Sequence, residues 1–381
     1  MKRFASLLAL CLSVATAVQA QSDQPTLTPE LKALYGDITP GKSVPFNSVL
    51  TSSLILRDTK PEEWPGIREK LYKRITDTWG TPPVPYQPQK NRFQETGRYV
   101  NLGMTHIRYR YHVLDSIWIE AVCVLPPNFN ERAQYPVVLT VHGTNGKQGK
   151  EGALGNPRNR AYAIELARRG IITLSPDLYG YGATIQTVSE EALYKAFFAK
   201  SPNWSLRGIR MLSLMRAVDM LEQLPFVKKG EYGAMGNSLG GGSVVYHMAL
   251  DRRIKSAVVS TGVSPAYTNA YRITARGRLD EPKRAEQIAQ NGVPPYDQHE
   301  LIALCAPRAV LFLEPFNDPY NPDVLASFKA IYDASAVYKL LGTPDRVSIL
   351  THGDGHDTID SVRDYAYGWL ERFLAVSKPR D

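Results

Sequence analysis

An open, mostly parallel α/β sheet is the fold class this sequence predicts, and three observations predict it. Two β-rich runs, Thr105 to Val113 and Ile117 to Leu125, flank the break Leu114-Asp115-Ser116 and read as an antiparallel hairpin. After them, short apolar runs alternate with segments of helical period, the order expected of repeated strand–helix units. Those runs are continuously apolar, which requires strands buried on both faces, as in a parallel sheet.

In chain order, the expected strands after the hairpin are Pro136 to Val141, Gly170 to Ser175, Tyr232 to Gly236, Ser256 to Ser260, Ala309 to Glu314 and Arg346 to Thr351. Helices are expected over Arg158 to Arg169, Leu206 to Leu224, Leu239 to Leu250, Val324 to Leu340 and Thr358 to Val376. The second is clearest, because Leu206, Ile209, Leu212, Met215, Val218 and Leu221 recur at helical spacing. Two connections, Asp177 to Ser205 and Gly262 to His299, are longer than the scaffold needs. Both follow strand carboxyl ends, where ligands bind in such sheets, so they are expected to wall a pocket.

The chain has 381 residues, of which 43% are hydrophobic and 22% charged, enough for a large soluble core. Its formal charge of +8 comes from scattered basic residues, which reads as a solvated surface and argues against a nucleic-acid partner. Lys2 and Arg3 precede an uncharged, mostly apolar run from Phe4 to Val18, and Val18-Gln19-Ala20 offers a small-residue processing site. Residues 1–20 therefore read as a signal peptide cleaved after Ala20, giving a periplasmic or secreted protein without a membrane span. Residues 21–97 are expected to form an extension, with an amphipathic helix from Trp64 to Trp79 on the spacing of Trp64, Ile67, Leu71 and Ile75. Residues 98–381 form the main domain. Cys123 and Cys305 both sit in apolar runs and read as buried free thiols.

The chemistry centres on Gly236-Asn237-Ser238-Leu239-Gly240-Gly241, with a β-run before it and a helical run after it. Such a strand-to-helix turn lifts a serine hydroxyl clear of the sheet, and its glycines relieve collisions within the turn. Ser238 is the expected nucleophile. A serine needs a base, which in this arrangement comes last in the chain, and His356 in His352-Gly353-Asp354-Gly355-His356-Asp357 fills that place. His352 at the strand end reads as a packing residue, and the pair matches no diagnostic metal spacing. The acid that orients the base is expected after the Ala309 strand. Asp318 is favoured, with Glu314 as its rival. Backbone donors for an oxyanion are expected from Leu239 and from Thr144, in the loop His142-Gly143-Thr144. Tyr179, Tyr181, Trp204, Tyr267 and Tyr271 lie in the long connections and are candidates to stack on substrate rings, or simply to pack.

The order of His142-Gly143, Gly236-Asn237-Ser238-Leu239-Gly240-Gly241, Ala306-Pro307-Arg308, Asp318-Pro319 and His352…Gly355-His356 resembles the dienelactone hydrolase-like and acetylxylan esterase-like α/β hydrolases of secreted bacterial type. With Trp64…Arg68…Leu71 and the Gly80 break, the resemblance runs from about residue 61 to 376. It implies the α/β-hydrolase fold and serine ester hydrolysis by Ser238, His356 and Asp318, with no metal or organic cofactor. Small-molecule or oligosaccharide esters are the implied substrates. One departure stands out: Glu314-Pro315 replaces the Asn-Gly pair usual at the acid strand's end. A peptidase of prolyl oligopeptidase type and a catalytically inactive binding homologue are the alternatives, and the first lacks room here for its usual propeller.

Overall fold

A computed structural model describes residues 59–155, 160–266, 280–291, 294–321 and 323–376. The expected signal peptide, Tyr267 and Tyr271 lie outside the described residues. Nine strands form one sheet: β1 (Phe93–Asn101), β2 (Met104–Leu114), β3 (Ile117–Val124), β4 (Tyr135–Val141), β5 (Ile172–Pro176), β6 (Val227–Asn237), β7 (Ile254–Ser260), β8 (Ala309–Leu313) and β9 (Val347–Leu350). Their spatial order is β1-β2-β3-β5-β4-β6-β7-β8-β9. Pairings from β1 to β5 through β3 are antiparallel, and all pairings from β5 to β9 are parallel. The sheet begins at Phe93, ahead of the first expected strand at Thr105.

Described helices, numbered here in order, are α1 (Trp64–Thr78), α2 (Tyr162–Arg168), α3 (Glu190–Lys200), α4 (Leu206–Leu221), α5 (Leu239–Leu250), α6 (Pro282–Asn291), α7 (Gln298–Ala303), α8 (Val324–Leu340) and α9 (Asp360–Phe373). The two long connections thus carry helices of their own, α3 in the first and α6 and α7 in the second.

Burial on both faces explains the continuous apolar strands. Val137, Leu139 and Val141 of β4 join a core with α4 and α5, while Val138 points the other way toward Tyr367, Trp369 and Leu370 of α9. Helix α4 is buried almost all round rather than on one stripe. Its polar residues survive there because they are paired. Arg216 meets Asp219 at 2.8 Å and donates to Gln87 O, and Arg253 meets Asp219 at 2.7 Å. Among the described residues no helix is long and apolar enough to cross a membrane.

The helix expected from Trp64 is α1, with Trp64, Arg68, Leu71 and Ile75 buried and Arg68 Nη2 donating to Ala249 O of α5. It braces the helix that follows Ser238. Gly80, at φ +86°, ends the arm and pairs in a β-bridge with Trp204. A β-carbon there would lie 1.9 Å from Asn203 O. Gly80→Ala is therefore expected to cost about 2–3 kcal/mol, lowering Tm by roughly 4–8 °C. Gly66→Ala in α1, whose β-carbon meets nothing within 4 Å, should hold or raise Tm in the same thermal scan.

Candidate active site

The strand order reverses at β4, whose two neighbours are β5 and β6. Crevices in parallel sheets open at such a switch, beyond the strand carboxyl ends. The register aligns those ends: Val141 pairs with Gly236, Asn237 with Ser260, Ser260 with Leu313, and Leu313 with Leu350. The next residues therefore emerge along one edge. They are His142, Ser238, Thr261, Glu314 and Thr351. Amides continue the ladder beyond the strands, Ser238 N–H to Ser260 O (2.9 Å), Thr261 N–H to Leu313 O (2.9 Å) and Glu314 N–H to Leu350 O (3.1 Å).

Ser238 has φ 59° and ψ −119°, a left-handed conformation unfavourable for a residue with a side chain. Its surroundings hold it there. Thr261 Oγ1 accepts from Ser238 N–H at 3.0 Å and from Asn237 Nδ2 at 2.9 Å. Gly240 is required, because a β-carbon there would sit 2.1 Å from Val141 O. Leu239 opens α5, so its N–H has no acceptor within the helix and faces outward with the helix dipole.

The loop after β4 lies against the serine. A methyl group on Gly143 would come within 3.6 Å of Ser238 Cβ and 3.7 Å of Arg160 Nη1. Ser238 and the Arg160 guanidinium thus both border Gly143. Arg160 also approaches Asp357 Oδ1 and His356 O, each at 3.5 Å. Thr144 is exposed beside this loop. His142 is fully buried, and burial lowers its pKa, so its ring is neutral. Its Nε2 accepts from Leu178 N–H at 3.0 Å, leaving Nδ1–H to donate to Gly143 O at 2.7 Å. This ring is a strut between two loops, with no free nitrogen for proton transfer.

His356 Nδ1 lies 2.7 Å from Asp318 Oδ2. The other oxygen, Asp318 Oδ1, accepts from Tyr320 N–H at 2.8 Å. Glu314 is directed elsewhere: its Oε1 accepts from Gly262 N–H (3.1 Å) and Val263 N–H (3.0 Å), fixing the loop after β7. An imidazole whose Nδ1–H is held by a carboxylate can accept a proton at Nε2. Gly355, at φ +69°, turns the chain into His356, and Asn317 clasps the turn by donating to Gly353 O and accepting from Gly355 N–H. Thr358 Oγ1 meets Ser260 Oγ at 2.9 Å, tying the far end of the histidine loop to β7. His352 is buried, which lowers its pKa, and its Nδ1 accepts from Asp354 N–H.

The aromatic candidates need correction. Tyr179, Tyr181 and Trp204 are only 4%, 3% and 2% exposed, and they pack in the core. Trp204 Nε1 donates to Tyr86 OH at 2.8 Å, Tyr181 meets the His142 ring edgewise, and Tyr179 lies against Phe197. The exposed rings beside the site are instead Phe316 (61%), over Gly353, and Tyr320 (67%), whose centroid is 4.7 Å from that of His356. Sequence reasoning also missed Asn317, Thr261 and Arg160. Cys123 and Cys305 are free and buried, with thiol pKa values pushed up by burial to about 12 and about 11. Among the described residues no group of three or more His, Cys, Asp or Glu is arranged to hold a metal.

A mostly parallel sheet with a left-handed serine between β6 and α5, and a carboxylate–imidazole pair from the later strand-end loops, defines an α/β-hydrolase fold. The resemblance read from the motifs is borne out over residues 119–277, which match the model of the Dienelactone hydrolase family. Among curated proteins, the chain is 27% identical over 159 residues to an Uncharacterized protein YcjY of Escherichia coli, covering 41% of this chain and 45% of that one. It is 27% identical over 143 residues to Dipeptidyl-peptidase 5 of Porphyromonas gingivalis, covering 37% and 19%. The match thus spans less than half the length of either relative. Among solved structures, a glucuronoyl esterase from Solibacter usitatus superposes with TM-score 0.66 at 16% identity, covering 84% of this chain and 97% of that one. A presumed acetyl xylan esterase from Bacteroides fragilis gives 0.61 at 16%, covering 87% and 88%.

Proposed function

We propose that this chain is an exported serine carboxylic ester hydrolase acting on carbohydrate-linked acyl esters. The observation that carries it is the Asp318–His356 pair, on the same sheet edge as a serine held in a left-handed turn. In this reading Ser238 Oγ attacks the ester carbonyl carbon while its proton passes to His356 Nε2. The carbonyl π pair moves onto oxygen, where Leu239 and Thr144 N–H groups stabilise it. Collapse expels the alcohol, which takes the proton from His356, and leaves an acyl group on Ser238. Water then repeats the sequence, with His356 again as base. Asp318 holds the required tautomer and stabilises the transient imidazolium.

Carbohydrate as the alcohol or acyl partner is supported by the resemblance to sugar esterases and by Tyr320 and Phe316, exposed rings suited to packing on a sugar face. A peptidase is the second reading, favoured only by the partial match to a dipeptidyl-peptidase.

A fluorophosphonate probe is expected to label the wild type and not Ser238→Ala. The wild type should hydrolyse short aryl esters and release acetate from acetylated xylan, while leaving peptide anilides intact. No labelling of the wild type would overturn the serine mechanism, and cleavage of anilides in preference to esters would favour the peptidase.

A further inference from the structure

The antiparallel end of the sheet carries a feature that the catalytic reading does not use. On β2, His106, Arg108, Arg110 and His112 share one face, and the register sets Tyr99 opposite His106 and Trp118 opposite His112. Arg110 lies over the Trp118 ring, 5.2 Å from its centroid, and Arg92 lies over the same ring at 5.9 Å. Arg108 lies 4.9 Å from the Tyr99 centroid, and Tyr99 stacks on His106 at 4.7 Å. All three arginines are exposed.

None of the three forms an ion pair among the described residues. Most arginines among the described residues do, including Arg98, Arg169, Arg216, Arg253 and Arg363. Two of the acids nearby are already engaged, while exposed Glu151 also lies near Tyr99. Glu120, opposite Arg110 in the register, meets Lys150 at 3.2 Å, and Glu95 is held by Arg98. Arg110 Nε donates to the neutral Gln94 Oε1 at 2.7 Å, which orients the guanidinium without discharging it.

A guanidinium laid on an aromatic ring is pre-oriented, and the N–H groups it does not spend on neighbours such as Gln94 and Tyr99 can meet a planar anion. Arg108 and Arg110 lie two residues apart on one strand face, roughly 6.8 Å, which suits successive anions on a chain better than one small ion. The rings are covered by guanidinium groups, so they offer no open face for the base stacking that single-stranded nucleic acids use. We propose that this face is a docking surface for a carboxylate-bearing polysaccharide, with Arg92, Arg108 and Arg110 as its anion contacts. The surface lies four strands from β6, roughly 19 Å across the sheet, and so acts separately from the serine. The choice of a sugar polymer as the polyanion rests on the proposed function; the anion contacts do not.

Affinity electrophoresis of the full chain carrying Ser238→Ala reads binding without turnover. Polygalacturonate is expected to retard it, and neutral xylan is not. Adding Arg92→Gln, Arg108→Gln and Arg110→Gln together should weaken polygalacturonate binding by about tenfold or more, with Tm followed as the control for folding. Arg108→Lys, which keeps the charge and loses the planar fork, should by itself weaken binding about threefold. Unchanged binding by the triple variant overturns the proposal, as does equal retention on single-stranded DNA and polygalacturonate. Ester hydrolysis is read separately in the wild type, so its failure would sink the proposed function and leave the binding result standing.

Discussion

Ser238→Ala is expected to lower kcat on a short aryl ester by about 10⁴- to 10⁶-fold in a steady-state assay, because the proposed mechanism places the acyl group on Ser238 Oγ. The fold should be unharmed. Ser238 Oγ is not what holds the turn: Ser260 O and Thr261 Oγ1 both bind its backbone N–H. Alanine keeps the unfavourable φ of 59°, whereas glycine accepts it freely. Ser238→Gly should therefore be equally inactive and about 1 kcal/mol more stable than Ser238→Ala, seen as a Tm higher by roughly 2–4 °C. A Ser238→Ala enzyme retaining a tenth of wild-type kcat would remove Ser238 from the reaction.

Asp318→Asn should have the next largest effect, about 10³- to 10⁴-fold in kcat with little change in KM. An asparagine amide facing His356 would donate where Asp318 Oδ2 now accepts, favouring the wrong imidazole tautomer. It would also leave a transient imidazolium without its counter-charge. Glu314→Gln makes the contrast. Its amide oxygen can still accept from Gly262 and Val263 N–H, so kcat should fall less than about tenfold. The reverse ranking would make Glu314 the acid and Asp318 a loop support.

The inner parallel strands were legible because they are covered on both faces. Residues such as Val137, Val138 and Leu139 must all be apolar when helices pack above and below. Strand β1 was not legible. Phe93–Asn101 is an edge strand with mostly polar, exposed residues, and nothing in its pattern distinguishes it from a loop. In the same way, α4 announces a helix by its spacing, but its all-round burial depends on the 82–92 segment and Arg253, both distant in the chain.

At the site, Ser238, His356 and Asp318 could be proposed from the sequence because the fold fixes their order and each needs a particular side-chain chemistry, and the structure brings Asp318 to His356. Asn317, Thr261 and Arg160 escaped because their roles come from cross-chain hydrogen bonds to backbone groups, which leave no periodicity or motif. Tyr179, Tyr181 and Trp204 turned out to pack rather than face solvent for another reason. Whether a ring in a long loop faces solvent depends on what covers it, and Gly80, Tyr86 and Phe197 together cover Trp204. Tyr320, two residues beyond Asp318, carried no comparable mark beforehand.

The amides of Ser238, Thr261 and Glu314 each donate to the last residue of the neighbouring strand. The backbone beneath the site is therefore continuous with the hydrogen-bond ladder of the sheet. The amide protons of Ser238 and Thr261, on inner strands, are expected to exchange at a free energy approaching that of global unfolding, measured by native-state hydrogen exchange. Moderate denaturant should thus leave Ser238 in place until the inner sheet gives way. Partial inactivation below that point would come from the histidine turn, whose clasp is one asparagine side chain.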